Sequence, residues 1–240
     1  MDDAPQEAAL ALLEAGELRI VGRIVQASNA TFLGTVTQGA DVRTCVYKPV
    51  RGERPLDDFP DGTLGKRERA AFLVSDHCGW DIVPPTVFRE AGPYGPGMAQ
   101  LWIDLDPLAD IIAMVNDDDP RLRTMAAFDA VVNNADRKGG HIIPTPDGQV
   151  YGVDHGICFA AEPKLRTILW GWRGQPLTES ELGLLRRTRA ALDGALGDEL
   201  GALLARAELL ALARRIDALV ADECFPLPDR YRMVIPWPPF

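Results

Sequence analysis

The sequence predicts an α+β protein of two lobes, a β-rich part over residues 1–103 with one inner helix and a mainly helical part over residues 104–240. Three observations carry this. Residues 17–48 hold short runs of β-branched, aromatic and apolar residues punctuated by glycine. A single helical segment interrupts the β texture at 64–78, and short strands return over 82–103. Beyond Leu105 apolar residues recur mostly at helical spacing, which places the lobe boundary, and a cleft, near residues 101–105.

The elements follow in chain order. PQEAALALLEA (5–15) forms a short helix that ends at Gly16. Leu18, Ile20, Thr31, Phe32, Thr35, Val36, Val42, Cys45, Val46 and Tyr47, separated by Gly22, Gly34 and Gly39, give three antiparallel strands. PVRGERPLDDFPDGT (49–63) has the Pro, Gly and Asp of a loop, and the helix from Leu64 has Thr63 as its N-cap. The run GPYGPG breaks the strands of 82–103. Leu122, Met125, Phe128, Val131 and Val132 define a helix over about 120–134. A hairpin follows, with HIIP and VYGVD flanking TPDGQ. Thr178 and Glu181 make a capping box that opens another helix, and Leu209, Leu212, Ile216 and Leu219 mark the last one. From Phe225 five prolines keep the tail extended, and its Tyr231, Val234, Ile235, Trp237 and Phe240 suit docking on apolar surface.

Composition excludes several function classes. Thirty-five acids against 25 bases give a formal charge of −10, unsuited to phosphate-driven nucleic-acid binding. No run of 18 apolar residues exists, so no stable membrane insertion is expected. Met1-Asp2-Asp3 is acidic where a secretory signal is basic, so a cytoplasmic location is expected. Cys45, Cys78, Cys158 and Cys224 are widely spread with no CxxC pair, which reads as buried reduced thiols. Cys158 has no paired base at a recognisable spacing and is not expected to act as a nucleophile.

The chemistry concentrates in NNADRKGGHII (133–143) and in Val153-Asp154-His155-Gly156. Two acids and a histidine on loops beside a strand pair suit Mg²⁺ or Mn²⁺; a turn in which Asp136 and Arg137 pair with each other is the other reading. Upstream, Lys48 ends the apolar run Cys45-Val46-Tyr47, where a buried cation needs a partner. Glu68 precedes Ala71 and Phe72 by three and four residues and shares their inner face. A strand lysine paired with a helix glutamate is how kinase-like folds hold ATP phosphates.

Together, Val46-Tyr47-Lys48-Pro49, Arg67-Glu68, Asn134-Ala135-Asp136-Arg137 and Val153-Asp154-His155-Gly156 resemble phosphatidylinositol 3-/4-kinase catalytic domains. They are similar also to HipA-type kinases, where an N-x-D-R loop precedes a metal-binding Asp. A closer likeness, from about Gly22 to Gly174, is to a bacterial family grouped with these lipid-kinase domains, and it includes RGERPLDDFPDGTL and DRKGGH.

The resemblance implies a bilobal protein-kinase-like fold and ATP-dependent phosphoryl transfer to a hydroxyl of a protein or small molecule. It implies that Lys48 contacts the α/β-phosphates, with Glu68 as its ion-pair partner. Asp136 would orient or deprotonate the attacking hydroxyl, and Arg137 and Lys138 would stabilise the loop or the transferred phosphate. Asp154 would bind the metal. The 28–32 segment, with Ser28 and Asn29, would cover the phosphates, and Met98-Ala99-Gln100-Leu101 would meet the adenine as a hinge.

Three departures stand out. His141 occupies the place of a metal-binding asparagine, the 28–32 segment lacks glycine, and the helical part is short. The net charge of −10 does not suit a lipid surface, so the lipid substrate is not carried over. Rival readings are a nucleotide-binding regulatory protein without transfer activity, a nucleotidyl transferase on the same fold, and a metalloprotein built on Asp136, His141 and Asp154 without nucleotide. Trp170 and Trp172 line a substrate groove or plug the helical lobe.

Overall fold

The computed structural model describes residues 4–25 and 29–240. Five antiparallel strands form one sheet in the order β1-β2-β3-β5-β4, with β1 at Glu17–Arg23, β2 at Phe32–Gln38, β3 at Asp41–Pro49, β4 at Thr86–Arg89 and β5 at Gly97–Leu101. β2 and β3 are joined by a two-residue turn between Gln38 and Asp41, where Gly39 takes a left-handed φ of 61°. Helix α1 (Ala4–Ala15) lies on one face. Its Leu12 and Leu13 close a small core with Leu18, Val36, Cys45, Tyr47, Val87 and Ala99. The two-residue period of β3 buries Cys45 and Tyr47 there and turns Lys48 to the opposite face.

Helix α2 (Leu64–Cys78) packs on that opposite face, with Gly65 against Met98 of β5. Its bounds match the sequence expectation, but its N-terminus is capped differently. Thr63 is in the αR region and its hydroxyl donates to the Pro60 carbonyl. The free N–H groups of Leu64 and Gly65 donate instead to the Glu53 carboxylate, from the preceding loop.

The helical part contains α3 (Ile111–Asn116), α4 (Arg123–Val132), α5 (Glu179–Ala191), α6 (Ala195–Gly201) and α7 (Arg206–Asp222), with β6 (Ile142–Pro144) and β7 (Val150–Gly152) as the expected hairpin. The capping box at Thr178 and Glu181 is formed. The expectation of mostly helical structure past Leu105 fails over residues 153–178. Gly156, Pro163, Gly171, Gly174 and Pro176 interrupt that stretch, and its backbone bonds to other irregular segments.

α2 belongs to the larger core as much as to the sheet. Ala70, Phe72, Val74 and Cys78 pack in one cluster with Phe128, Val131 and Leu185. Polar contacts pin it further. Trp80 Nε1 donates to Thr188 Oγ1 at 2.9 Å, and Ser75 Oγ accepts from Ile82 N and Val83 N. Arg67 is buried, lies 4.8 Å over the Phe59 ring, and donates to the Cys158 carbonyl and to the Glu208 carboxylate. The second Glu208 oxygen accepts from Ala205 N at the start of α7. The helix expected as part of the β-rich lobe is thus bolted to the helical one.

The tail runs extended and docks through backbone carbonyls and some of its side chains, with Phe225 in the core and the Phe240 ring against Gly139. Val234 O accepts from Thr167 N and from Trp170 Nε1, and Pro239 O accepts from Gly139 N. Tyr231 and Trp237, expected to pack on apolar surface, are 96% and 79% exposed. Glu208→Leu should destabilise the chain by about 3–5 kcal/mol in denaturant unfolding, because it strands the buried Arg67 guanidinium. A change under about 1 kcal/mol would show that this pair does not anchor α2.

Candidate active site

Lys48, on the inward face of β3, sits between two carboxylates. Its Nζ is 2.6 Å from Glu68 Oε1 and 2.6 Å from Asp154 Oδ1. Burial alone would lower the Lys48 pKa, but Asp154 and Glu68 outweigh it and hold the ammonium above the ordinary lysine value. Lys48 in turn holds Asp154 below the usual carboxylate range, against the opposing effect of burial. Glu68 is raised by burial, which the lysine offsets only in part. Two carboxylates against one ammonium leave one net negative charge.

Asp154 follows β7 with a left-handed φ of 61°, a conformation Asp adopts more readily than most residues. Its neighbour His155 is fully buried, and its N–H donates to Glu68 Oε2 at 3.0 Å. Glu68 therefore grips the Asp154 turn through the main chain as well as through Lys48.

The Asp136 loop is held by Arg137, which has no exposed surface. Its Nε and Nη2 take the buried Asp129 of α4 in a bidentate pair, and its Nη1 donates to the carbonyls of His141 and Val153. Its Nη2 also lies 2.7 Å from His155 Nε2. A guanidinium has only donors, so His155 Nε2 is the acceptor and the ring proton is on Nδ1. Burial, then Arg137, hold His155 well below the usual histidine range and therefore neutral. All five guanidinium N–H groups thus point at acceptors inside the protein. Arg137 is thus taken up entirely by the network around the loop and has no exposed surface.

Asp136 itself is partly exposed and pairs with Lys138 at 2.9 Å. The alternative Asp136–Arg137 pairing does not form, because Arg137 turns inward to Asp129. Asp136 N donates to Asn134 Oδ1, and the Asn134 amide donates to Asp129.

His141 Nε2 lies 3.3 Å from Asp154 Oδ2, and burial lowers the His141 pKa against the pull of that carboxylate. Two ligands about 2.1 Å from one cation at a right angle are about 3 Å apart, so the pair fits one Mg²⁺ or Mn²⁺. The net negative charge favours such a cation. Among the described residues no group of three His, Cys, Asp or Glu side chains could hold a metal, so a site built on Asp136, His141 and Asp154 alone is not formed. Two protein ligands with the rest left to phosphates and water is the usual Mg²⁺ arrangement.

Other expected positions fare differently. Ser28 lies outside the described residues. Asn29 Oδ1 accepts from Arg54 N, bracing its segment on the following loop. Met98–Leu101 is strand β5, paired with β3 and β4, and Leu101 N donates to Pro85 O. The Gln100 side chain is buried on Thr86 Oγ1. The Met98–Leu101 backbone is engaged within the sheet, and Trp102 N also donates, to Thr44 O. Cys158 is fully buried with its thiol pushed well up by desolvation, as expected of a core thiol. Trp172 is core, whereas Trp170 binds the tail. Asp129, His155 and Glu208 escaped sequence reasoning. The signal for Asp129 was a lone acid amid the apolar residues of AAFDAVV.

The sheet, the inner helix and the loops of the helical part define a protein-kinase-like fold. Two crystal structures of the Golgi casein kinase, one with Mn/ADP bound, match at TM-scores of 0.63 and 0.64 with 17% and 16% identity, over 98% of this chain and 78% of that chain. The Helicobacter pylori proinflammatory kinase CtkA matches at 0.52 with 12% identity, over 89% of this chain and 94% of that chain. No family model matches the sequence. The chain belongs to the family of Protein Rv2133c of Mycobacterium tuberculosis, with 46% identity over 265 aligned positions, 96% of this chain and 95% of that protein.

Asp129→Asn should cost about 3–5 kcal/mol of stability, because it removes the charge that compensates buried Arg137. Thermal and denaturant unfolding check this; a near-neutral result would mean that the Arg137 network does not hold the loop.

Proposed function

We propose that this protein is an ATP-dependent phosphotransferase that moves the γ-phosphoryl group to a hydroxyl of a protein or small-molecule acceptor. The observation that carries the reading is Lys48 held at 2.6 Å by both Glu68 and Asp154, beside a loop that presents Asp136. Lys48 would contact the α/β-phosphates, with Glu68 as its positioning partner. Asp154 and His141 would hold Mg²⁺ or Mn²⁺, which when bound neutralises phosphate charge. Asp136 would orient the acceptor hydroxyl and take its proton, and Lys138, paired with Asp136, would face the transferred group. Arg137 would keep Asp136 in register with Asp154 and touch no substrate. The work asked of the site is positioning and charge stabilisation. We take residues 1–103 and 104–240 as the lobes on either side of the nucleotide. The likeness to phosphatidylinositol 3-/4-kinase and HipA-type domains supports the same assignment of roles.

A second reading, a nucleotide-binding regulator without transfer, is favoured by the tail. Phe240 sits against Gly139, beside Lys138, so closely that a Cβ there would fall 2.2 Å from its ring. Nucleotidyl transfer is separated from both by the mass added to a modified product.

The test is thermal unfolding with ATP and Mg²⁺, Mn²⁺ or chelator, combined with turnover. Wild type should gain stability only with metal, by about 2.7 kcal/mol at 100 times the dissociation constant. Asp154→Ala and Lys48→Ala should lose most of that gain. Asp136→Ala should keep it while turnover falls about 10²–10⁴-fold. No gain in wild type with either metal would overturn the nucleotide site; a gain with no turnover would favour the regulator.

A further inference from the structure

Residues 163–170 and the loop that presents Asp136 form a track for an extended chain, and the tail of this protein lies in it. Arg166–Ile168 is bonded along one edge to Arg137, whose N donates to Arg166 O and whose O accepts from Ile168 N. Thr167 N faces the outer edge and donates to Val234 O at 3.0 Å. Trp170 Nε1 donates to the same carbonyl at 2.9 Å, and Arg232 donates to Pro163 O. Further along, Pro239 O accepts from Gly139 N at 2.8 Å, and the Phe240 ring closes on Gly139, in the loop of Asp136 and Lys138.

These contacts are those by which an edge takes up an extended peptide. Main-chain bonds hold it, and alternate side chains face in and out. Exposure alternates along the tail in that way: Met233, Ile235 and Trp237 are exposed, Val234 is half-buried and Pro236 is buried.

Two features mark the tail as an occupant of this track rather than a fixed wall. The first is chemical. RMVIPWPPF (232–240) contains no Ser, Thr or Tyr, so nothing in it can accept a phosphoryl group on a hydroxyl. The second is energetic. A main-chain hydrogen bond contributes about 0.5–1.5 kcal/mol net, while fixing the backbone of one residue costs about 1–2 kcal/mol. Apolar burial adds little at Met233 and Trp237, which are 66% and 79% exposed. An open pocket of about 630 Å³ also remains between the tail and α7. A segment held this way opens more readily than the core.

We propose that the track formed by residues 163–170 and Gly139 binds the acceptor as an extended protein segment, and that residues 232–240 fill it in the resting protein as a competitor without a hydroxyl. This rests on the phosphotransferase reading and deepens it, by naming the acceptor class and a built-in block. A tethered competitor acts at an effective concentration on the order of millimolar, so a free acceptor must displace it.

The test turns the competitor into an acceptor. Ile235→Ser, Pro236→Ser, Trp237→Ser and Pro238→Ser are made one at a time in the full chain and incubated with ATP and Mg²⁺ or Mn²⁺. In the transfer, the serine Oγ bonds to the γ-phosphorus as the bond to the leaving ADP oxygen breaks, and the hydroxyl proton passes to Asp136. At least one variant should be phosphorylated on the new serine, as located by mass spectrometry. The rate per chain should not change on dilution, and adding Asp136→Ala should abolish it. A synthetic peptide of residues 230–240 with that serine is then the free acceptor for two chains, wild type and Phe240→Ala. Phe240→Ala should lower the KM for the peptide at least about threefold and leave kcat within about twofold, as expected when the open fraction of the site rises. Its thermal gain with ATP and metal should equal that of wild type.

If that gain is present but no serine is phosphorylated, or the rate per chain falls on dilution, or KM is unchanged in Phe240→Ala, the proposal is overturned and the nucleotide reading stands. No thermal gain with either metal would overturn both.

Discussion

The buried pair of Arg137 and Asp129 is the constraint on which the candidate site rests. A charge without solvent must be compensated by the protein, and Arg137 meets that demand with acceptors from four separate places. They are α4, the carbonyl of His141, the carbonyl of Val153 and the ring of His155. The loop carrying Asp136 and the turn carrying Asp154 are thereby tied to one group. Moving either means stranding donors in a dry interior, which is costly. Asn134 extends the same tie, bonding Asp129 with its amide and the Asp136 backbone with its carbonyl.

A second lock holds Lys48 and Glu68. A lysine–glutamate pair is only as well placed as the helix that carries the glutamate. Here α2 is held from behind by Arg67 and Glu208, beside it by Trp80 and Thr188, and below by the larger core. Glu68 adds a main-chain grip on His155. The consequence is a site whose acidic groups are fixed before any ligand arrives. The charge left over, with Lys48 shared by two carboxylates, is what a divalent cation would complete.

The tail joins these parts to the rest of the helical lobe. It docks with backbone carbonyls at Val234 and Pro239 and with the rings of Phe225 and Phe240. Its course runs from the wall of an open pocket between α4 and α7 to Gly139, next to Lys138. One short extended segment therefore touches both the open pocket beside α7 and the loop that presents Asp136.

Local pattern determined much of this protein. Period-two and helical spacing located β1 to β3, α2, the β6–β7 hairpin and the capping box at Thr178, because these depend on neighbours a few residues away. The Lys48–Glu68 pair was legible for a similar reason: a cation ending an apolar strand demands a partner, and one acid lay on the inner face of the helix. Where the local signal was ambiguous, tertiary contacts decided. Thr63 looked like a cap, but Glu53 reached the helix end from a loop. Met98–Leu101 looked like a hinge, but two strands engage its backbone. Arg137 sat among reactive residues, yet its role depended on an acid eight residues earlier that faces it only once α4 has formed. The docking of the tail arises where segments far apart in the chain meet. Sequence spacing carries no record of such meetings, since burial and partner choice are properties of the packed chain.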